Sequence, residues 1–303
     1  MSGAQRARLP DGRWHWQHGP IDLVIGADGD PAAVAAADAA AWDQFQGLLA
    51  GLVAELPLLR QPVAAAPATN PLQGAVARCM WAACAPLRDE ADGFITPMAA
   101  VAGSVAQALI AHHQRPGIQR AWVNNGGDIA LHLAPGASLR VGLFADLARL
   151  DASTLARTAA GPLRTDATFT VHAADAIRGV ATSGWRGRSH SRGIADSVTV
   201  LAASAALADA AATVIANQVD VVHPGIQRRP ARSLRDDSDL GELLVTLQVP
   251  PLPNALVQAA LLRGLACARR LQQDGRVTAV LLACQGSLLR LPAMESLECS
   301  LVQ

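Results

Sequence analysis

The chain has 303 residues, 51% of them hydrophobic and 17% charged, which supports one large core or two small ones and excludes wholesale disorder. Lys plus Arg and Asp plus Glu both total 25, so the formal net charge is zero and the global balance favours neither nucleic acid nor an anionic membrane surface. Every basic side chain is Arg or His and there is no lysine, which excludes Schiff-base chemistry, a lysine general base and a Walker-type phosphate lysine.

From Arg13, large and polar residues alternate up to a Gly19-Pro20 turn and then resume as an apolar run, the pattern of a hairpin entering a core. Asp30-Pro31 combines an N-cap with proline at the first helical position and predicts a helix running towards Leu56. A Pro-punctuated connection over 61–73 leads to a second helix, Gly74 to Ala85. The segment Phe94 to His113 is apolar almost all round and predicts one buried helix. RAWVNNGGDIALHL then predicts a strand, a Gly-rich bend and a strand, followed by a further strand pair around Leu139–Phe144. Short strands are expected at Phe169–Val171 and Arg178–Thr182, then an Arg/Ser/Gly-rich loop, a strand at Ser197–Leu201 and a helix from Ala203 to Val219. Arg228–Asp239 predicts a charged loop, Leu243–Val249 a strand, Ala255–Leu271 a helix and Val277–Ala283 a final core strand. Paired strands and separate helices, without strict alternation, predict an α+β fold with antiparallel sheets and packed helices in a single domain over 1–303. A buried helix beside paired strands in each half suggests a duplicated unit.

The five cysteines (Cys79, Cys84, Cys267, Cys284, Cys299) form no CxxC pair and read as reduced, buried thiols. With no apolar leader-like run at the start and no stretch of about 18 apolar residues, the expected compartment is the cytoplasm, with no membrane partner.

Three segments could carry chemistry. In Asn124-Asn125-Gly126-Gly127-Asp128 the adjacent glycines allow backbone N–H groups to approach a ligand, with Asp128 orienting the loop; the same residues also make an ordinary hairpin turn. Ala181-Thr182-Ser183-Gly184, followed by Arg186, Arg188, His190 and Arg192, suits phosphate oxygens, or else is a solvated basic loop. Asp209 and Thr213 lie one turn apart on one helix face, a hard-oxygen pair suited to Mg²⁺, or else a capping Asp beside a self-bonded Thr.

Taken in order, NNGGDI (124–129), ATSG (181–184) and SVTVLAASAALADAAAT (197–213) resemble the ApbE-like flavin transferase superfamily over a motif-bearing core of about 94–217. The chain is most similar to a short, cytoplasmic branch, through His18–Leu23 (HGPIDL), Thr96–Gly103 (TPMAAVAG), Arg178–Gly184 (RGVATSG), Ser238–Gly241 (SDLG) and Val245-Thr246. The resemblance implies a T-fold-like α+β domain that binds FAD or FMN with Mg²⁺ and passes FMN from FAD to a Thr or Ser of an acceptor protein. The alternative is a non-transferring flavin or nucleotide binder that acts as an accessory or redox partner. Carried over, Asp209 and Thr213 match the side-chain metal ligands, with Ala102 beside the alanine whose carbonyl completes that site. Thr182 and Ser183 lie against the flavin and Gly126, Gly127 and Asp128 line the nucleotide cleft, while Gly184, Arg186 and Arg188 stay cofactor-binding candidates on the residue pattern alone. Two features depart from the pattern. The family lysine after that alanine is missing from Ala99-Ala100-Val101-Ala102-Gly103, and the H-x-x-D-P-x-T-G stretch is replaced by Trp185–Asp196, in which only His190 and Asp196 echo it.

Overall fold

A computed structural model describes residues 3–64, 69–143, 167–187, 189–292 and 300–301. The expected helix start is present: the Asp30 side chain accepts the Ala33 N–H at 2.9 Å, Pro31 occupies the first turn, and α1 runs Pro31–Ala54. Strands β1 (Gln5–Arg8), β2 (Trp14–His18) and β3 (Ile21–Gly29) precede it; its inward stripe of Ala37, Ala41, Phe45, Leu48 and Leu52 packs with β2 and β3, whereas β1 is exposed along its length. Helix α2 (Ala75–Cys84) follows, and the two residues just before it are pinned by the carboxylate of Glu55, which accepts the N–H groups of Gln73 and Gly74 at 2.7 Å each.

The expected single helix over 94–113 is divided. A 3₁₀ turn at Pro97–Ala100 leads into α3 (Val101–Ile110), and a second 3₁₀ turn closes at Ala111–His113. Proline is tolerated only in a first helical turn, so the segment begins at Pro97 and everything before it lies outside the helix. Strands β4 (Ile118–Asn125), β5 (Asp128–Leu133), β6 (Ser138–Leu143), β7 (Ala167–His172), β8 (Gly179–Ser183) and β9 (Ser197–Ala202) come next. Phe144, included in the expected strand pair, lies outside the described residues. Helix α4 (Ala205–Gln218) is capped by Ser204, whose side chain accepts the Leu207 N–H at 3.3 Å. Part of the expected charged loop at 228–239 is instead strand β10 (Gln227–Pro230), paired with β11 (Leu244–Gln248). Arg228 is held there by Asp220 and the Thr246 hydroxyl, whereas Arg229 and residues 232–237 stay exposed as a charged loop would. Helix α5 (Asn254–Gln273), β12 (Ala279–Cys284), the edge strand β13 (Ser287–Leu291) and β14 (Ser300–Leu301) complete the order.

The architecture is α+β, with a large antiparallel sheet and packed helices. Nine strands form one sheet in the order β1-β2-β3-β4-β5-β8-β9-β12-β13, and every pairing in it is antiparallel. Beyond β1 it reads as two blocks, β2-β3-β4-β5 and β8-β9-β12-β13, each with its helices inserted between the second and third strands. The blocks join through β5 and β8, which share only the register pairs Ile129↔Val180 and Ala130↔Gly179. Helices cover one face over the larger core. On the other face a smaller core of Leu131, Phe169, Val171, Val180 and Leu201 lies against the three-stranded sheet β14-β7-β6. Because both faces are covered, all six residues of β9 are buried, the polar Ser197 and Thr199 among them.

Candidate functional site

The two blocks bring the motif segments to one place. Gly126 and Gly127 form the two-residue turn between β4 and β5, at φ +66° and +115°, backbone that only glycine adopts without strain. Asn124 fastens the turn, its Oδ1 accepting the Gly127 N–H at 2.8 Å, so the segment is a hairpin turn that also presents Asp128. From β5, Asp128 Oδ1 accepts the Thr182 N–H at 3.2 Å, which ties the end of β8 to the turn. The Thr182 hydroxyl shares a 2.9 Å bond with that of Thr199, which is buried in β9.

Asp209 approaches from the helical layer. Its Oδ2 accepts the Gly103 N–H at 2.9 Å, and the Ala102 N–H also reaches its carboxylate, so Asp209 caps the start of α3 from another helix. Such an approach requires small residues. A Cβ on Gly103 would lie 2.2 Å from the Ala205 carbonyl oxygen and 2.9 Å from Asp209 Cβ, and one on Gly179 would lie 2.3 Å from the Ala205 nitrogen. The alanine-rich face of α4 (Ala205, Ala206, Ala208, Ala212) completes this packing.

Burial drives the Asp209 carboxyl well above the ordinary Asp range, and the neighbouring charge of Asp128 pushes it further; the N–H groups of Gly103 and Ala102 oppose both. The Cys84 thiol is raised in the same way, by burial first and then by the nearby Asp209, Cys79 and Asp239 charges. Asp239 in turn accepts the hydroxyl proton of buried Thr96, which docks the Ser238–Gly241 segment onto the approach to α3.

Asp128, Thr182, Asp209 and Ala102 are therefore linked through hydrogen bonds and a shared electrostatic environment. Thr213 is half-buried one turn further along α4, and Ser183 is half-buried at the end of β8. Gly184 has a packing explanation, since a Cβ there would lie 2.4 Å from the Asp196 carbonyl oxygen. Arg186 is exposed, its guanidinium 4.8 Å from the Trp185 ring centroid; Arg188 and Cys299 lie outside the described residues. Asp196 is engaged structurally, accepting from the Trp185 indole N–H at 3.3 Å and from the Gln285 N–H.

The sequence marks Asn125 only as part of the Asn124–Asp128 turn, Asp239 only as the end of a charged loop and Thr96 only as part of a motif, with no individual role for any of them. The segments TPMAAVAG and SDLG were visible, but their meeting across the fold was not. Asn125 Nδ2 donates to the Ala102 carbonyl at 3.1 Å. A separate cleft of about 290 Å³, lined by Arg8, Trp14, Asp38 and Trp122 among others, shares no lining residue with this site. Among the described residues no helix is long and apolar enough to cross a membrane, and no group of three or more His, Cys, Asp or Glu is placed to hold a metal.

A family model described as AbpE bacteria matches residues 6–290. The chain belongs to this ApbE-like family. A UPF0280 protein of Methanosphaerula palustris is 36% identical over 133 residues, 44% of this chain and 48% of that protein. One from Methanothermobacter thermautotrophicus is 39% identical over 127 residues, 42% of this chain and 43% of that protein. The chain thus spans about half the length of the curated relatives it matches. The ApbE protein of Thermotoga maritima, a crystal structure, is similar at 11% identity and a TM-score of 0.47, covering 95% of this chain and 96% of that one.

Proposed function

We propose that this ApbE-like chain binds a flavin nucleotide, FAD or FMN, in the cleft where the Gly126-Gly127 turn, the end of β8 and the start of α3 converge, and transfers FMN from FAD to a Thr or Ser of an acceptor protein. The observation that carries the reading is the convergence of half-buried Asp128 on β5 and Asp209 on α4, one from each half of the chain, close enough that the Asp128 charge adds to burial in raising the Asp209 carboxyl. Two carboxylates held close against their own repulsion are a hard-oxygen pair suited to a divalent cation.

The residues fit Mg²⁺ in part. Asp209 and Asp128 would hold it with the Thr213 hydroxyl, and the ion, when bound, neutralises charge on pyrophosphate oxygens. Ala102 fits less well. Its carbonyl accepts from Asn125 and, lying in the first turn of α3, is also the regular acceptor for the Ala106 N–H, so both lone pairs are engaged. The other roles are those read from the sequence. Gly126 and Gly127 admit a ligand close to backbone, Thr182 and Ser183 border the flavin, and Arg186 and Arg188 meet the phosphates. Gly184 lets the chain pass close to Asp196 at this rim. The two blocks of four consecutive antiparallel strands with intervening helices support a T-fold-like, internally duplicated reading of the architecture.

A second reading, a binder that holds flavin without transferring FMN, is favoured by the absence of any lysine and by the structural use of Asp196. Titration with FAD, followed by flavin fluorescence with and without Mg²⁺, tests the site in wild type, Asp209→Ala and Asp128→Asn. Tight, Mg²⁺-dependent binding that both variants lose is the expected result. Binding indifferent to Mg²⁺ and to both carboxylates would overturn the cation assignment, and no binding would overturn the flavin assignment. Release of AMP in the presence of an acceptor separates transferase from binder.

A further inference from the structure

The two adjacent asparagines do different work. Asn124 secures its own turn through Gly127, whereas Asn125, only 5% exposed, sends its side chain inward to the Ala102 carbonyl. Ala102 is thereby gripped at both ends of its backbone: its N–H goes to Asp209 and its C=O receives Asn125. One residue at the start of α3 thus connects Asp209 on α4 to the hairpin that carries Asp128. The β4–β5 turn that carries Asp128 consists of two glycines, while Asp209 is fixed to the start of α3 through Gly103. Repulsion between the two carboxylates acts to part the hairpin from α3, and the Asn125 amide, bonded to Ala102, opposes that parting at the turn itself. A buried amide deprived of its acceptor is costly, so the clamp holds its length.

We infer that Asn125 is a positioning residue that sets the separation of the Asp128 and Asp209 carboxylates and, with it, the size of the cation they hold together. The inference rests on the proposed cation site. A tight separation favours Mg²⁺, with oxygen ligands at about 2.0–2.1 Å, over Ca²⁺, with ligands at about 2.3–2.6 Å.

The test is calorimetric titration of the full chain with Mg²⁺ and with Ca²⁺, in the presence of FAD, for wild type, Asn125→Ala and Asn124→Ala. Asn125→Ala should weaken Mg²⁺ binding by roughly 10–100-fold, the range typical when a group that orients a metal ligand is removed, while Ca²⁺ binding changes much less. Asn124→Ala should lower thermal stability and leave the Mg²⁺-to-Ca²⁺ ratio unchanged, a split that a merely structural role for Asn125 would not give. Asn125→Ser, which retains a shorter polar group, serves if the alanine variant does not fold. Wild-type Mg²⁺ selectivity retained in the Asn125 variants would overturn the positioning role while leaving the cation site intact. Absence of any cation response in wild type would overturn the site itself, and the positioning role with it.

Discussion

The carboxylate of Asp209 meets the backbone N–H of Gly103 at 2.9 Å across 106 residues of sequence, and the absence of a side chain on Gly103 makes that approach possible. Asp209 is both a cap for α3 and one side of the candidate cation site. In Gly103→Ala the added Cβ would lie 2.2 Å from the Ala205 carbonyl oxygen, a backbone atom that cannot turn aside. The variant should lose about 1–3 kcal/mol in urea denaturation, the usual cost of overpacking. A loss within experimental error would mean that α3 and α4 separate freely.

Asp209 should also leave a signature in the pH dependence of stability. Its carboxyl is raised above the ordinary range, by burial and then by Asp128, so the native state binds this proton more tightly than the unfolded chain does. Its contribution is most favourable at low pH. It declines as pH rises through the ordinary Asp value of about 4 and levels off above the raised value. Asp209→Asn retains an oxygen to accept the Gly103 N–H and removes the charge. The variant should therefore gain on wild type as pH increases from about 4 to 8, and Mg²⁺ should narrow the gap in the wild type's favour. Denaturation curves at several pH values with a constant difference would contradict this.

Glu55 receives the N–H groups of Gln73 and Gly74, the two residues that lead into α2, with both carboxylate oxygens. Glu55→Ala should cost about 0.5–1.5 kcal/mol, the usual net contribution of a hydrogen bond, with the midpoint of thermal unfolding as the readout. Gln in its place keeps an acceptor oxygen and should recover part of the loss.

The thiols of Cys267 and Cys284 are pushed up to about 12 by burial first, with the Glu90 and Asp196 charges adding respectively. Cys84 is raised as well. At pH 8 the native protein should leave these three unmodified by a thiol reagent over times in which the unfolded chain reacts completely, with the sites mapped by mass spectrometry. Rapid labelling of Cys84 in the native state would show that the region beside Asp209 is open to solvent.

The sequence by itself determined the features that depend on neighbours along the chain. Asp30-Pro31 marked the start of α1, the paired glycines marked the β4–β5 turn, and the β-branched run at 197–201 marked a strand, because capping, positive φ and strand preference act over a few residues. The α+β class followed from the grouping of those elements, and the ApbE-like family from the order of three motifs. Local signals failed where distant partners decide conformation. Arg228 reads as part of a charged loop until Asp220 and Thr246 are beside it, and Asp196 reads as a remnant of a catalytic stretch until Gln285 and Trp185 bind it. Only the tertiary structure decided that Asp128 and Asp209 share one electrostatic environment, that Asn125 grips Ala102, and that Thr96 meets Asp239. The physical reason is that charge repulsion, burial and hydrogen bonding depend on distance in space, and the packing of glycine and alanine faces at Gly103, Gly179 and Ala205 sets those distances.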